Sequence, residues 1–110
     1  MMVSVIIPYY NKKEFIFATL DSLNNQVYKD FEVIIVDDGS DEKLEDFLNF
    51  NNYFFPLKLI RQINKGLSAA RNTGLLNCNG TLISFLDADD VWSPNKLEIQ
   101  VQFMDKYDFV

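Results

Sequence analysis

The sequence predicts an α/β fold built on a mainly parallel sheet, and three observations carry that prediction. Short β-branched runs alternate with stretches of helical spacing in the order βαβαβαβα. The runs are nearly continuous in apolar residues, as strands covered on both faces must be. Each run ends in a polar or acidic loop, so any chemistry collects at one sheet edge. Alternation of this kind implies right-handed crossovers between parallel strands.

Each element has its own local signal. Val3–Ile7 is a β-branched run stopped by Pro8 and reads as a buried strand. Between Lys13 and Gln26, Phe15, Ile16, Ala18, Leu20, Leu23 and the adjoining Val27 fall at helical spacing. Phe31–Val36, FEVIIV, is a second strand that ends at Asp37. Ser40 or Asp41 can cap a short helix over Glu42–Leu48, and Asn49–Asn52 breaks it. Leu57–Arg61 is a weaker third strand. Leu67–Cys78 is a helix with small residues at Ser68, Ala69 and Ala70, closed near Gly80. Thr81–Leu86 is the fourth strand. Ser93 and Pro94 are the N-cap and first position of another helix, with Leu97, Val101 and Met104 as its apolar face. Tyr107–Val110 reads as the opening of a fifth strand.

Composition narrows the function. The 110 residues suffice for one domain with one core, and 48% hydrophobic content is that of a globular chain. A net charge of −6 argues against nucleic acid as a partner, which would need a basic stripe. There is no histidine, which removes histidine bases, histidine metal ligands and Ser-His-Asp triads together. The single cysteine, Cys78, can form no internal disulfide and reads as a small core residue in a reduced, cytoplasmic setting. No apolar run approaches the roughly 18 residues of a membrane span, and the start lacks the pattern of a signal peptide.

The chemistry lies in the loops at the strand ends. Pro8-Tyr9-Tyr10-Asn11 comes after the first strand and Asp37-Asp38-Gly39-Ser40 after the second. Arg61 to Gly66 comes after the third, and Asp87-Ala88-Asp89-Asp90 after the fourth. All belong to the edge where open α/β sheets bind ligands. Asp87 and Asp89 are one residue apart, so both can face one cation, and Asp90 adds a third carboxylate. Such hard oxygen ligands suit Mg²⁺ or Mn²⁺ together with substrate phosphates. The bland alternative is a turn cap with solvated neighbours. Asp37 to Ser40 is a turn by composition, and its carboxylates can accept from a base N–H or a sugar hydroxyl. Tyr10 can stack on a base face or simply pack. Arg61, Lys65 and Arg71 are the cations near loop ends, and Arg71 lies near a helix start that favours anions. Trp92 reads as a packing anchor for its loop.

Four stretches, SVIIPYYN, VIIVDDGS, NKGLSAARNTGL and ISFLDADDVWSPNKLE, resemble in order and spacing the N-terminal half of family 2 glycosyltransferases. The resemblance covers essentially the whole chain. It implies a Rossmann-like GT-A three-layer sandwich, here its N-terminal portion only, as one domain over residues 1–110. It implies a nucleotide-diphosphate sugar donor, commonly a UDP-sugar, Mg²⁺ or Mn²⁺, and inversion at the anomeric centre. It places Pro8 and Tyr10 at the nucleobase, Asp38 as its acceptor, and Asp37 in support of that loop. Lys65 and Arg71 would lie near the nucleotide. Asp87 would lie near the ribose, and Asp89 and Asp90 would be the metal positions. The family's catalytic base is a carboxylate in the second half of the domain, so it is expected beyond residue 110, and the segment alone is expected to be inactive. The acceptor would be a saccharide or lipid-linked saccharide of bacterial surface polysaccharide assembly. That sets the parent enzyme at the inner face of the cytoplasmic membrane.

Three rival readings compete with this one. A sugar nucleotidyltransferase would carry a Gly-rich basic loop after the first strand, where this chain has Pro8-Tyr9-Tyr10-Asn11. A phosphoacceptor domain would have its paired acids after the first strand, whereas these come after the second and fourth. The third is a truncated nucleotide-sugar-binding module without catalytic activity.

Overall fold

The computed structural model describes the backbone of residues 1–107 and the side chains of residues 1–104. Its elements are β1 (Val3–Tyr9), α1 (Lys13–Asn24), β2 (Phe31–Asp38), β3 (Leu57–Gln62), α2 (Leu67–Leu76), β4 (Leu82–Phe85) and α3 (Lys96–Tyr107). The four strands form one parallel sheet in the order β3-β2-β1-β4. The chain therefore builds outward from β1 to β3, then returns to add β4 on the other side of β1. That reversal puts the topological switch point between β1 and β4.

Alternation along the strands separates two cores. Val3, Val5 and Ile7 of β1 and Val33 and Ile35 of β2 face α1 and α3, meeting Ile16, Leu20, Leu23, Leu97 and Val101. Ile34 and Val36 face the opposite side and meet Ala70 of α2. The result is three layers, with α1 and α3 on one face of the sheet and α2 on the other. Gly74 lets α2 close on β1, since a Cβ there would stand 2.4 Å from Ile6 Cγ2. Each of these buried Val, Leu and Ile side chains contributes about 1.5–3 kcal/mol through removal from water.

Several elements depart from the sequence reading, each for a local reason. β1 continues through Pro8 to Tyr9. The Ile6 carbonyl accepts from Leu86 N, so the even residues of β1 turn their backbone toward β4. Pairing with β4 ends at Phe85, so the donor that Pro8 lacks would fall past that strand's end. β2 runs to Asp38, because Asp37 and Asp38 still pair with Arg61 and Gln62 of β3. The helix expected over Glu42–Leu48 is only a 3-10 turn, Leu44–Asp46, whose Leu44 N–H is taken by the Asp37 carboxylate. α1 stops at Asn24, α2 stops at Leu76, and Cys78 lies beyond the helix, half-buried against the α2-side core. α3 begins at Lys96, because Ser93 and Pro94 form the turn before it. The fifth strand expected from Tyr107 falls on residues 108–110, outside the described residues, and Tyr107 itself closes α3. Among the described residues, no helix is long and apolar enough to cross a membrane.

Candidate functional site

A cleft of about 440 Å³ opens at the switch point between β1 and β4. One wall is Pro8, Tyr9 and Tyr10, delivered by the end of β1. The facing wall is Asp87, Ala88 and Asp89, on the turn after β4. Asp38, Asn64, Gly66 and Leu67 form the side nearest β2 and the start of α2. The loops after all four strands thus meet at or beside one cavity.

Asp38 ties two of these loops together. It is 4% exposed, and three donors converge on its carboxylate. Oδ1 accepts from Gln62 Nε2 at 2.8 Å and Lys65 N at 2.9 Å, and Oδ2 accepts from Gly66 N at 2.9 Å. Burial pushes the carboxyl up, but the Gln62, Lys65 and Gly66 bonds and the Lys65 charge outweigh it and hold Asp38 below the usual carboxylate range. Its position also suits the positive end of α2, which Gly66 opens at φ +97. Gly39 is required beside it. Its φ is +77, and a Cβ would stand 2.6 Å from Asn64 N.

Asp37 sits one layer behind. It is 1% exposed and accepts from Ser40 N, Leu44 N and Arg61 Nη1. Arg61, a candidate phosphate contact by sequence, is therefore committed. Its second nitrogen donates to the Ser40 carbonyl at 2.9 Å. Asn11, at φ 51, joins the first loop to the second. Its N–H donates to Ser40 Oγ, and its side-chain oxygen accepts from Asp41 N. The rim is thus held by bonds within the protein before any ligand arrives.

Asp87, Asp89 and Asp90 are exposed, and one carboxylate oxygen from each lies within 4.8 Å of the others. The Asp90 N–H to Asp87 carbonyl bond, 3.0 Å, closes the turn that bears them. Lys12 Nζ lies 3.6 Å from Asp89 Oδ2, with both side chains 44% exposed. Such an exposed pair adds little stability. Sequence reasoning misses Lys12, although it stands two residues past Tyr10 at the same sheet edge.

Of the residues singled out by sequence, Pro8, Tyr10, Asp38, Asp87 and Asp89 line the cleft. Asp90 shares the acidic turn. Lys65 contacts Asp38 through its backbone N–H, and its side chain is exposed. Arg71 lies one turn into α2, its guanidinium 5.5 Å from the Phe85 ring and its Nε buried with no hydrogen-bond partner among the described residues. Trp92 packs against the α1 and α3 core.

A parallel three-layer sandwich with an acidic cleft at its switch point defines an open α/β domain whose ligand edge is the carboxyl end of its strands. The chain belongs to glycosyl transferase family 2, whose sequence profile matches residues 4–110. It is 39% identical over 104 residues to the UDP-Glc:alpha-D-GlcNAc-diphosphoundecaprenol beta-1,3-glucosyltransferase WfgD of Escherichia coli, covering 94% of this chain and 41% of that protein. It resembles S. aureus TarS 1–349 in complex with UDP-GlcNAc, with a TM-score of 0.89, 30% identity and coverage of 98% and 32%. It also resembles the mannosyltransferase PcManGT of Pyrobaculum calidifontis in complex with GDP-Man and Mn²⁺, with a TM-score of 0.84, 28% identity and coverage of 93% and 32%. The fold is therefore the Rossmann-like N-terminal half of a GT-A glycosyltransferase. The chain spans 16% of the length of one curated relative and 41% of another.

Proposed function

We propose that this chain is the donor-binding half of an inverting, metal-dependent glycosyltransferase that uses a nucleotide-diphosphate sugar, with UDP as the favoured nucleotide. The observation that carries the reading is the cleft itself. Pro8, Tyr10 and Asp38 face Asp87 and Asp89 across a cavity of about 440 Å³. The UDP-GlcNAc and GDP-Man complexes of TarS and PcManGT support a nucleotide-sugar ligand at this edge.

The residues divide the work by chemistry. The Tyr10 ring, 46% exposed, offers a face for the base. A carboxylate has about four acceptor positions, and Asp38 uses three, which leaves roughly one for a base N–H or sugar hydroxyl. The start of α2 and the Lys65 charge favour the diphosphate, and Arg71 adds a second cation one turn further on. Asp89 and Asp90, with Asp87 beside them, would hold the divalent ion.

That donor set fits Mg²⁺ or Mn²⁺. Two oxygens bound to one such ion at about 2.1 Å are at most about 4.2 Å apart. Carboxylates within 4.8 Å reach that spacing by small side-chain rotations. When bound, the ion supplies Lewis-acid neutralisation of the charge that develops on the departing diphosphate.

Inversion also needs a base for the acceptor hydroxyl. Three donors hold the Asp38 carboxyl below the usual range, which makes it a weak base, and the acidic turn is given to the cation, so the base is assigned outside the cleft described. We therefore assign sugar transfer to the cleft together with a carboxylate beyond residue 110. The acceptor is a saccharide or lipid-linked saccharide of bacterial surface polysaccharide assembly, which would seat the parent enzyme at the inner face of the cytoplasmic membrane. The WfgD acceptor, a diphosphoundecaprenol-linked sugar, supports that choice. The same commitment of Asp38 favours a second reading for the isolated chain, a nucleotide-sugar-binding module without turnover.

The test is calorimetry with UDP, GDP, CDP and ADP, each with and without Mn²⁺. UDP is expected to bind more tightly with Mn²⁺, and Asp89→Ala to remove that metal effect. Binding of no nucleotide, or metal-independent binding, would overturn the donor-site reading. Sugar transfer by the chain alone would overturn the assignment of the base.

A further inference from the structure

α1 and the turn that follows it bury polar groups where an apolar residue would serve a core better. Thr19 and Gln26 are fully buried and Ser22 is 9% exposed. At spacings of three and four they form one stripe on the face turned toward the acidic loop. Sequence periodicity places Phe15, Ala18 and Val27 on the inner face. All three are exposed, and the polar stripe stands with Ile16, Leu20 and Leu23 instead.

Each member of the stripe holds backbone of the loop after β4. Thr19 Oγ1 lies 2.6 Å from the Asp90 carbonyl and 3.0 Å from the Ala88 carbonyl. These two carbonyls flank Asp89. Ser22 Oγ accepts from Trp92 N at 3.2 Å and donates to the Thr19 carbonyl at 2.6 Å. Gln26 donates to the Ser93 carbonyl at 2.7 Å and accepts from Leu97 N at 3.2 Å. Buried polar groups are tolerated only when bonded, and these are bonded to the stretch from Ala88 to the first turn of α3.

We propose that Thr19, backed by Ser22 and Gln26, is a positioning residue for the acidic turn, an inference that rests on the donor-site reading. Three carboxylates on four residues repel one another and tend to spread the turn. The single Thr19 hydroxyl proton, given to the Asp90 carbonyl at 2.6 Å and shared at most with the Ala88 carbonyl at 3.0 Å, opposes this by tethering the backbone beside Asp89. It holds the carboxylates ready for a cation without touching one. Partners that orient metal ligands from behind commonly change metal affinity about 10- to 100-fold when removed.

The test compares Thr19→Val, which keeps the shape and loses the hydroxyl, with Thr19→Ser, which keeps the hydroxyl. Free Mn²⁺ is followed by electron paramagnetic resonance at saturating UDP, and metal-free UDP binding by calorimetry. Acrylamide quenching of Trp92, the only tryptophan, reports on the loop. Thr19→Val is expected to weaken Mn²⁺ binding about 10-fold, leave metal-free UDP binding unchanged and increase Trp92 quenching. Thr19→Ser is expected to restore both. Unchanged Mn²⁺ affinity and quenching in Thr19→Val would overturn the proposal, as would an equal loss of metal-free UDP binding. If Thr19→Val does not fold, Ser22→Ala, which frees the Trp92 N–H, is read by the same criteria. If the wild-type chain binds neither Mn²⁺ nor UDP, the donor-site reading falls on its own. Trp92 quenching then decides the positioning claim, raised in Thr19→Val and restored in Thr19→Ser if it holds, unchanged if it does not.

Discussion

Replacing Asp38 by Asn removes one charge and almost no volume, so it isolates what the carboxylate does for the cleft. Three donors converge on Asp38, two on Oδ1 and one on Oδ2. Asn can keep Gln62 and Lys65 on its carbonyl oxygen, but each becomes a neutral bond. A bond to a charged group is worth about 1.5–3 kcal/mol and a neutral one about 0.5–1.5, so the two together lose about 2 kcal/mol. The Asn amide must then face Gly66 N–H, donor against donor, and an unpaired buried donor costs a further 1–3 kcal/mol or so. Asp38 is 4% exposed, so solvent screens little of this. The sum is about 3–5 kcal/mol, a large share of the roughly 5–15 kcal/mol that holds a domain of this size together. Urea unfolding from pH 7 to pH 3, followed by far-ultraviolet circular dichroism, measures it. The folded carboxyl titrates below the unfolded one, so its contribution is complete above about pH 4 and is lost as pH falls through the folded pKa. The gap between wild type and Asp38→Asn should be constant near neutrality and narrow by about 1 kcal/mol as pH falls to about 3. A gap under about 1 kcal/mol at pH 7, or one that persists undiminished in acid, would refute the claim that the charge organises these loops.

Two further predictions concern the scaffold. Gly39→Ala forces a Cβ into a left-handed position 2.6 Å from Asn64 N. About 2–4 kcal/mol of stability should be lost in urea, and native-like stability would show that the two loops do not meet as described. Glu32, buried at the other end of the sheet, accepts from Ser4 Oγ and Asn79 N, both at 2.6 Å. Burial raises its carboxyl, yet these bonds and the Lys58 charge prevail and hold it low. Glu32→Gln should therefore cost about 1–3 kcal/mol at neutral pH and progressively less as the wild-type carboxylate protonates in acid. A cost independent of pH would sink that account.

What the sequence determined by itself is everything written in local pattern. β-branched runs such as VSVII and FEVIIV can only be strands, and their apolar continuity demands cover on both faces. Loop composition pointed to strand-end loops that line the cleft, and four ordered motifs named the family. Element ends were less legible. Glu42–Leu48 has a helix-forming composition, but Asp37 takes the Leu44 N–H and leaves a single 3-10 turn.

The tertiary structure decided what depends on partners far apart in the chain. Strand order is one such fact. Only the placement of β4 beside β1 brings Tyr10 opposite Asp87 and Asp89. Asp38 is another, since its donors come from residues 24 to 28 positions away, across β3 and the start of α2. The α1 stripe is the clearest. Thr19 finds the Asp90 carbonyl 71 residues along, and nothing in the spacing of Thr19, Ser22 and Gln26 announces it. Periodicity finds the helix but misplaces part of its buried face, since Phe15 and Ala18 are exposed while Thr19 and Ser22 are buried. A hydrogen bond belongs to two groups, and where the second one stands is settled only when the chain has folded.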